Sequence, residues 1–108
     1  MGDRAQVLIK DTGVFLYTHW NGTELIETVK RALTKRQRWD DPEYLARIIF
    51  DEMVGKGQGE ETGFGIGTEQ HGDVWRIITV DCERSMINVK DNGRDVLDNF
   101  FGDFIRQG

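Results

Sequence analysis

The residues best equipped for chemistry stand together in "YTHWNGTEL", Tyr17 to Leu25. His19 could add positive charge to an anion site. Trp20 offers a broad ring with one N–H donor, and Asn21-Gly22-Thr23 leads into a run with helical spacing. A helix start is a natural anion site, because its first amides lack partners and the dipole is positive there. Glu24 and Glu27 work against that use, since they already bring negative charge to the first turn. The stretch therefore reads as a fold joint. Trp20 is expected to bury its ring with its N–H on a partner, His19 to be a partly buried, hydrogen-bonded histidine, and Asn21 or Thr23 to cap the helix. The functional alternative gathers His19, Trp20 and Asn21 with Asp40, Asp41 and Arg47 into one ligand or partner site. That requires the strand end and a later interhelical turn to converge.

A second candidate is "KRALTKRQRW". Thr23 to Arg38 carry five positive and two negative charges, a net +3 within a chain of −5. Arg36, Arg38 and Trp39 make a basic patch suited to an acidic partner. The plainer reading is a solvated helix end with Trp39 packed under arginine stems.

Other chemistries are excluded by spacing. Gly57 follows Lys56 where a P-loop needs Ser or Thr. "GFGIG" leads into a turn and strand, whereas a dinucleotide fingerprint opens a helix. Glycines 63, 65 and 67 instead suit a strand that a helix or ring approaches closely. Cys82, His19 and His71 are too few for a zinc site. Asp51, Glu52, Glu60 and Glu61 bracket a glycine loop without EF-hand spacing, which implies weak calcium binding at best. Ser85, the only serine, has no nearby histidine in sequence, and Asp81 and Glu83 raise the pKa of Cys82. No catalytic residue, metal or cofactor is expected.

The elements that must position these residues follow from periodicity. Arg4 to Lys10 alternates, "DTG" turns with Gly13 left-handed, and Val14 to Trp20 returns as a central strand covered on both sides. Leu25, Ile26, Val29, Ala32 and Leu33 share one helical face, which predicts a helix over Thr23 to Arg38. Asp41 before Pro42 restarts a helix to about Gly55, with Leu45, Ile48, Ile49 and Met53 inward. A glycine-rich strand, a strong strand at Val74 to Asp81 and a hairpin to Met86–Lys90 come next. From Asp95, residues Val96, Leu97, Phe100, Phe101, Phe104 and Ile105 form an apolar helical stripe. The order expected is ββααβββα: one α+β domain over residues 1–108, with a mainly antiparallel five-stranded sheet and helices packed on it.

At 108 residues, net charge −5 and one cysteine, the chain fits a small domain in a reducing, cytoplasmic setting, with no membrane span. The acidic balance argues against nucleic acid as the main partner. The combination "LYTHWNGTEL…RALTKRQRWDDPEYLARIIFDEM…TGFGIG" resembles a family of small uncharacterised proteins from prokaryotic and phage genomes. The resemblance runs from about Gly13 to Asp81, is most specific in "RWDDPEYLARIIF", and implies no catalytic residue. The reading is a non-catalytic binding or regulatory domain acting through a protein partner or as a homo-oligomer. The alternative is a small enzyme or ligand-binding protein at the strand–helix joint.

Overall fold

Alternation at the start forms the expected hairpin: β1 (Ala5–Ile9) and β2 (Val14–Thr18) pair antiparallel, with Val7 opposite Leu16. Gly13 turns it at φ +73°. The computed structural model describes residues 3–55 and 63–106. Two helices follow, α1 (Leu25–Thr34) and α2 (Pro42–Val54). Then come β3 (Phe64–Gly67), β4 (Arg76–Asp81), β5 (Met86–Asp91), β6 (Arg94–Phe100) and α3 (Phe101–Arg106). The sheet is mixed, in the order β3-β2-β1-β4-β5-β6, and β1 runs parallel to β4.

The expected five-stranded sheet is thus corrected to six strands, and the order to ββααββββα. The error lies at residues 94–100. Val96, Leu97, Phe100 and Phe101 fit helical spacing, but in a strand adjacent residues face opposite ways. Phe100, opposite Met86, is 56% exposed, while Phe101 beside it is fully buried. The deciding feature is the two-residue turn at Asn92 and Gly93, both with positive φ (51° and 81°), the geometry of the tightest hairpin. A bulge near Val89/Lys90 absorbs the register shift. Helix remains only over six residues at the end.

One face of the sheet holds the core. Val7, Ile9, Leu16, Ile78, Val80, Ile87 and Val89 meet Leu25, Val29 and Leu33 of α1, Leu45 and Ile49 of α2, and Phe101 and Phe104 of α3. The other face of β1 and β2 is crossed by residues 68–75, which carry the chain from β3 to β4. Gln6, nearly fully buried, ties this crossing down: its side chain donates to the Glu69 carbonyl (3.2 Å) and accepts from the His71 amide (2.9 Å). β2 is therefore covered on both faces, as its sequence implies.

Helix α1 is shorter than its charge pattern suggests. It ends at Thr34, and Arg36 and Arg38 lie beyond it with φ of 53° and 57°. α2 begins as expected, with Asp41 accepting from the Tyr44 amide at 3.2 Å and Pro42 in the first turn.

Candidate functional site

At the β2–α1 joint, side chains from distant parts of the chain converge. Arg4 Nε donates to His19 Nδ1 (3.2 Å), and the Tyr17 hydroxyl lies 3.1 Å from the same nitrogen. Since Arg4 can only donate, Nδ1 is the acceptor and the neutral ring carries its proton on Nε2. Arg4 also pairs with Asp73, and His71 stacks on Tyr17 with centroids 4.5 Å apart. His19 is thus a hydrogen-bonded joint histidine. Among the described residues the carboxylate that joins this group is Asp73, and it is engaged by Arg4.

Trp20 departs from expectation. The residue is 62% exposed, and its ring meets His19 edge-on at 4.1 Å. Gly63 explains the placement: a Cβ there would come within 2.6 Å of the indole Cδ1. Close approach by an aromatic ring is therefore the reason for this glycine. Gly65 and Gly67 have open space around them, so the same explanation fails for them.

The helix cap is also corrected. Neither Asn21 nor Thr23 caps α1 with its side chain. Asp3 instead holds the turn that leads into the helix: its carboxylate accepts from the Thr23 amide (2.8 Å) and the Trp75 indole N–H (2.7 Å). Burial pushes the Asp3 pKa up, but the hydrogen bonds from Thr23 and Trp75 and the Arg76 charge outweigh it and hold it below the usual value. Asp3 also crosses Gly22 so closely that a Cβ there would sit 2.7 Å from its oxygen. Beneath the joint, Arg76 binds Asp91 through two bonds (2.7 and 2.8 Å) and donates to the carbonyls of Gly22 and Thr23 (3.1 and 3.2 Å). Sequence reasoning missed Asp3, Arg4, Trp75, Arg76 and Asp91 because their roles depend on pairings across the fold that no local pattern carries.

The six residues proposed as one site do not come together. His19, Trp20 and Asn21 lie at the end of the sheet where Ala5 faces Thr18. Asp40 and Asp41 lie beyond the ten residues of α1, a span of about 15 Å. They stand close enough to Cys82 for their charges to bear on it, at the sheet end where Ile9 faces Val14. Burial pushes the Cys82 thiol up to about 12, with Asp11, Asp81, Asp41 and Asp40 adding to it. Such a thiol is inert.

The interhelical turn assembles a different set. Trp39 is a structural pin: its indole donates to the Leu33 carbonyl (3.0 Å) and its ring meets Phe101 at 5.4 Å. The Arg36 guanidinium lies 5.7 Å from the Trp39 ring, and those of Arg38 and Arg47 lie 4.8 and 4.6 Å from the Tyr44 ring. Arg47 pairs with Asp51, while Arg31 and Lys35 share Glu52. The Lys35 hydrogen bond, helped by Arg31, holds the Glu52 pKa low against burial. Arg36 and Arg38 have no ion-pair partner among the described residues. Arg47 also borders a mostly apolar groove of about 410 Å³ between α2 and the β2–β3 edge, with Val14, Leu16, Phe50 and Ile66 among its lining.

Among the described residues no three His, Cys, Asp or Glu side chains gather to hold a metal, and no helix is long and apolar enough to cross a membrane. Of the weak calcium candidates, Asp51 and Glu52 are engaged by cations. Glu60 and Glu61 lie outside the described residues, as do Lys56 and Gly57. Compared with known proteins, the chain matches no family model, no curated protein and no solved structure.

Proposed function

We propose that this chain is a non-catalytic binding domain that takes an acidic segment of a protein partner across the turn between α1 and α2. The observation that carries the reading is the backbone at Arg36 and Arg38. Left-handed φ at a non-glycine residue costs on the order of 1–3 kcal/mol, and this turn contains two such residues, both arginine. Glycine would remove the steric part of that cost. What arginine provides instead is a pair of guanidiniums without an ion-pair partner among the described residues, already positioned against aromatic rings, so less freedom is lost when an anion binds. The chain's net charge of −5 favours a protein carboxylate over a nucleic-acid backbone, which would be repelled beyond the patch.

The test uses a fluorescein-labelled peptide rich in aspartate and glutamate. The Arg36→Glu/Arg38→Glu variant should bind it at least about tenfold more weakly, a change of about 1.4 kcal/mol or more. Its melting temperature should stay near that of the parent. Unchanged peptide binding would remove the turn from consideration.

The exposed Trp20 ring favours a second reading, a small ligand stacked at the β2–α1 joint. In that case His19→Ala alters ligand-induced shifts of neighbouring resonances while the domain stays folded. Loss of stability without any such change returns His19 to a purely structural role.

A further inference from the structure

We propose that the face of β4, β5 and β6 turned away from the helices binds a neutral sugar, a pyranose unit of an oligosaccharide. The ring lies against Met86 and Phe100, and its hydroxyls meet Asn88 and Asp98. This is a second site, separate from the interhelical turn, and it does not rest on the acidic-segment reading.

Strand register sets the side chains of this face in rows, because directly paired residues point the same way. Asp81, Met86 and Phe100 form one row across the three strands, Thr79, Asn88 and Asp98 the next, and Ile77, Lys90 and Asp95 the third. The helices pack on the opposite face, against Ile78, Val80, Ile87 and Val89. The crossing at residues 68–75 is tied to Gln6 of β1. Between Lys10 on one side and Asp95 and Asp98 on the other runs a groove of about 380 Å³, a volume in the range of ligand sites.

The charges in the groove select the ligand. Its lining holds three cations, Lys10, Arg84 and Lys90, and three carboxylates, Asp81, Asp95 and Asp98. Lys10 and Arg84 pair with Asp81, and Lys90 pairs with Asp95. A polyanion would meet the carboxylates and a polycation the cations, and either would have to disturb these pairs. A sugar hydroxyl disturbs none of them. It donates to a carboxylate lone pair and accepts from an ammonium or amide N–H, and the paired groups keep both in reserve.

Two groups are left for direct contact. The Asp98 side chain has no hydrogen-bond or ion-pair partner among the described residues, and it stands opposite Asn88. Asn88 spends one N–H on Asp95 (3.1 Å), which fixes the amide and leaves its other N–H and its carbonyl oxygen. Neighbouring hydroxyls fit this pair, one donating to Asp98 and the other accepting from Asn88. The row beside them is apolar at Met86 and the exposed Phe100. A pyranose is divided in the same way, with an apolar C–H face and a polar hydroxyl rim. Strand faces are used for oligosaccharides in other folds.

The isotope-labelled full chain is titrated with maltotriose, cellotriose, mannotriose and chitotriose. At least one should shift the Asn88 side-chain amide and the Met86 methyl while leaving Tyr44 and Arg47 unmoved. Its affinity should change less than about twofold between about 0.05 and 0.5 M salt, because a neutral ligand has no charge to screen. Asp98→Ala and Phe100→Ser should each weaken binding at least about tenfold and keep a melting temperature near that of the parent. Phe100→Trp should retain binding, since the aromatic platform remains. The Arg36→Glu/Arg38→Glu variant should bind the sugar as the parent does, so this site and the turn stand or fall separately. Binding that survives both Asp98→Ala and Phe100→Ser puts the sugar elsewhere and overturns the proposal. So does a lysine-rich peptide that shifts these resonances in low salt where no sugar does, since the face then serves a charged partner. A dimer seen by sedimentation and lost in Phe100→Ser overturns it in favour of a second copy. No shift with any of the sugars at tens of millimolar overturns it outright.

Discussion

Replacing Asp91 by alanine tests whether the β2–α1 joint is held by the ion pair beneath it. The Arg76 side chain is 11% exposed and that of Asp91 is 21% exposed, and the two are joined by a pair of short charged hydrogen bonds. Arginine cannot shed its proton to escape burial, so Asp91→Ala leaves a buried cation with the Gly22 and Thr23 carbonyls, the Trp75 ring 4.3 Å away and the more distant Asp3 charge. Breaking a buried pair in this way costs about 3–5 kcal/mol. Asp91 is one-fifth exposed, and water can partly replace it, so the lower end applies: about 3 kcal/mol. Against a total stability of roughly 5–15 kcal/mol for a domain of this size, that is a large fraction. At about 4 °C or more per kcal/mol, it corresponds to a loss of about 12 °C or more in melting temperature.

Urea unfolding followed by tryptophan fluorescence measures the change. The companion variant Arg76→Met/Asp91→Leu removes both charges and should recover much of the loss, because the penalty is that of an uncompensated ion. It should not recover all of it, since the two carbonyls lose their donor. A cost below about 1 kcal/mol for Asp91→Ala would refute the reasoning and show that water serves Arg76 as well as Asp91 does.

Two neighbouring phenylalanines should behave very differently. Phe101→Ala, at a fully buried position touching Trp39, should cost about 3–5 kcal/mol, whereas Phe100→Ser, at a half-exposed one, should cost about 1 kcal/mol or less; equal costs would mean that residues 94–100 are not a strand. The depressed pKa of Asp3 means that the unfolded chain takes up its proton first. The stability Asp3 contributes is then complete above the ordinary carboxylate value near 4 and is lost as pH falls through the lower native value. Asp3→Asn should flatten that acid limb in urea titrations at successive pH values, and parallel curves for the two proteins would show that the carboxylate adds nothing.

Much of the framework was legible because local and global signals agree. Alternation marked β1 and β2, and Asp41-Pro42 marked the start of α2 to the residue. The interior of α1 followed from one apolar face. The C-terminal segment departs from expectation because its apolar spacing satisfies a helix and a strand equally, and the signal that separates them is the Asn92-Gly93 turn before it. Propensity points the same way: Asp95, Asp98, Asn99 and Gly102 are all poor helix formers, so the apolar stripe lacks support from the residues between. The caps failed for another reason. Asp3 reaches Thr23 across twenty positions, and nothing near Thr23 in sequence announces a donor already satisfied. Trp20 was expected inside because a large ring gains by burial, but Gly63 leaves it a shelf at the surface.

The candidate site divides along the same line between local and long-range information. Arg36, Arg38 and Trp39 are recognisable as a basic cluster, but their turn is not, since the charge pattern continues past the helix end at Thr34. The groove was invisible because it depends on α2 lying beside an edge that becomes an edge only when β3 is placed in the sheet. Backbone strain then separates the arginines from the other unusual residues. Among the described residues four non-glycines have positive φ: Arg36, Arg38, Ser85 and Asn92. Asn92 sits in the two-residue turn into β6, a position asparagine tolerates. Ser85 closes the loop between β4 and β5, and its carbonyl accepts from the Phe101 amide at 2.8 Å, so its conformation fixes the entry to α3. Both residues serve a junction in the fold. The turn at 36 and 38 is a junction too: the Arg36 amide donates to the Leu33 carbonyl (3.0 Å) and the Arg38 carbonyl accepts from the Asp41 amide (3.1 Å), while Trp39 bonds Leu33 and meets Phe101, and none of these contacts requires an arginine side chain. The fold accounts for a tight turn there, and among the described residues neither guanidinium has an ion-pair partner, which is what the proposed acidic segment would supply.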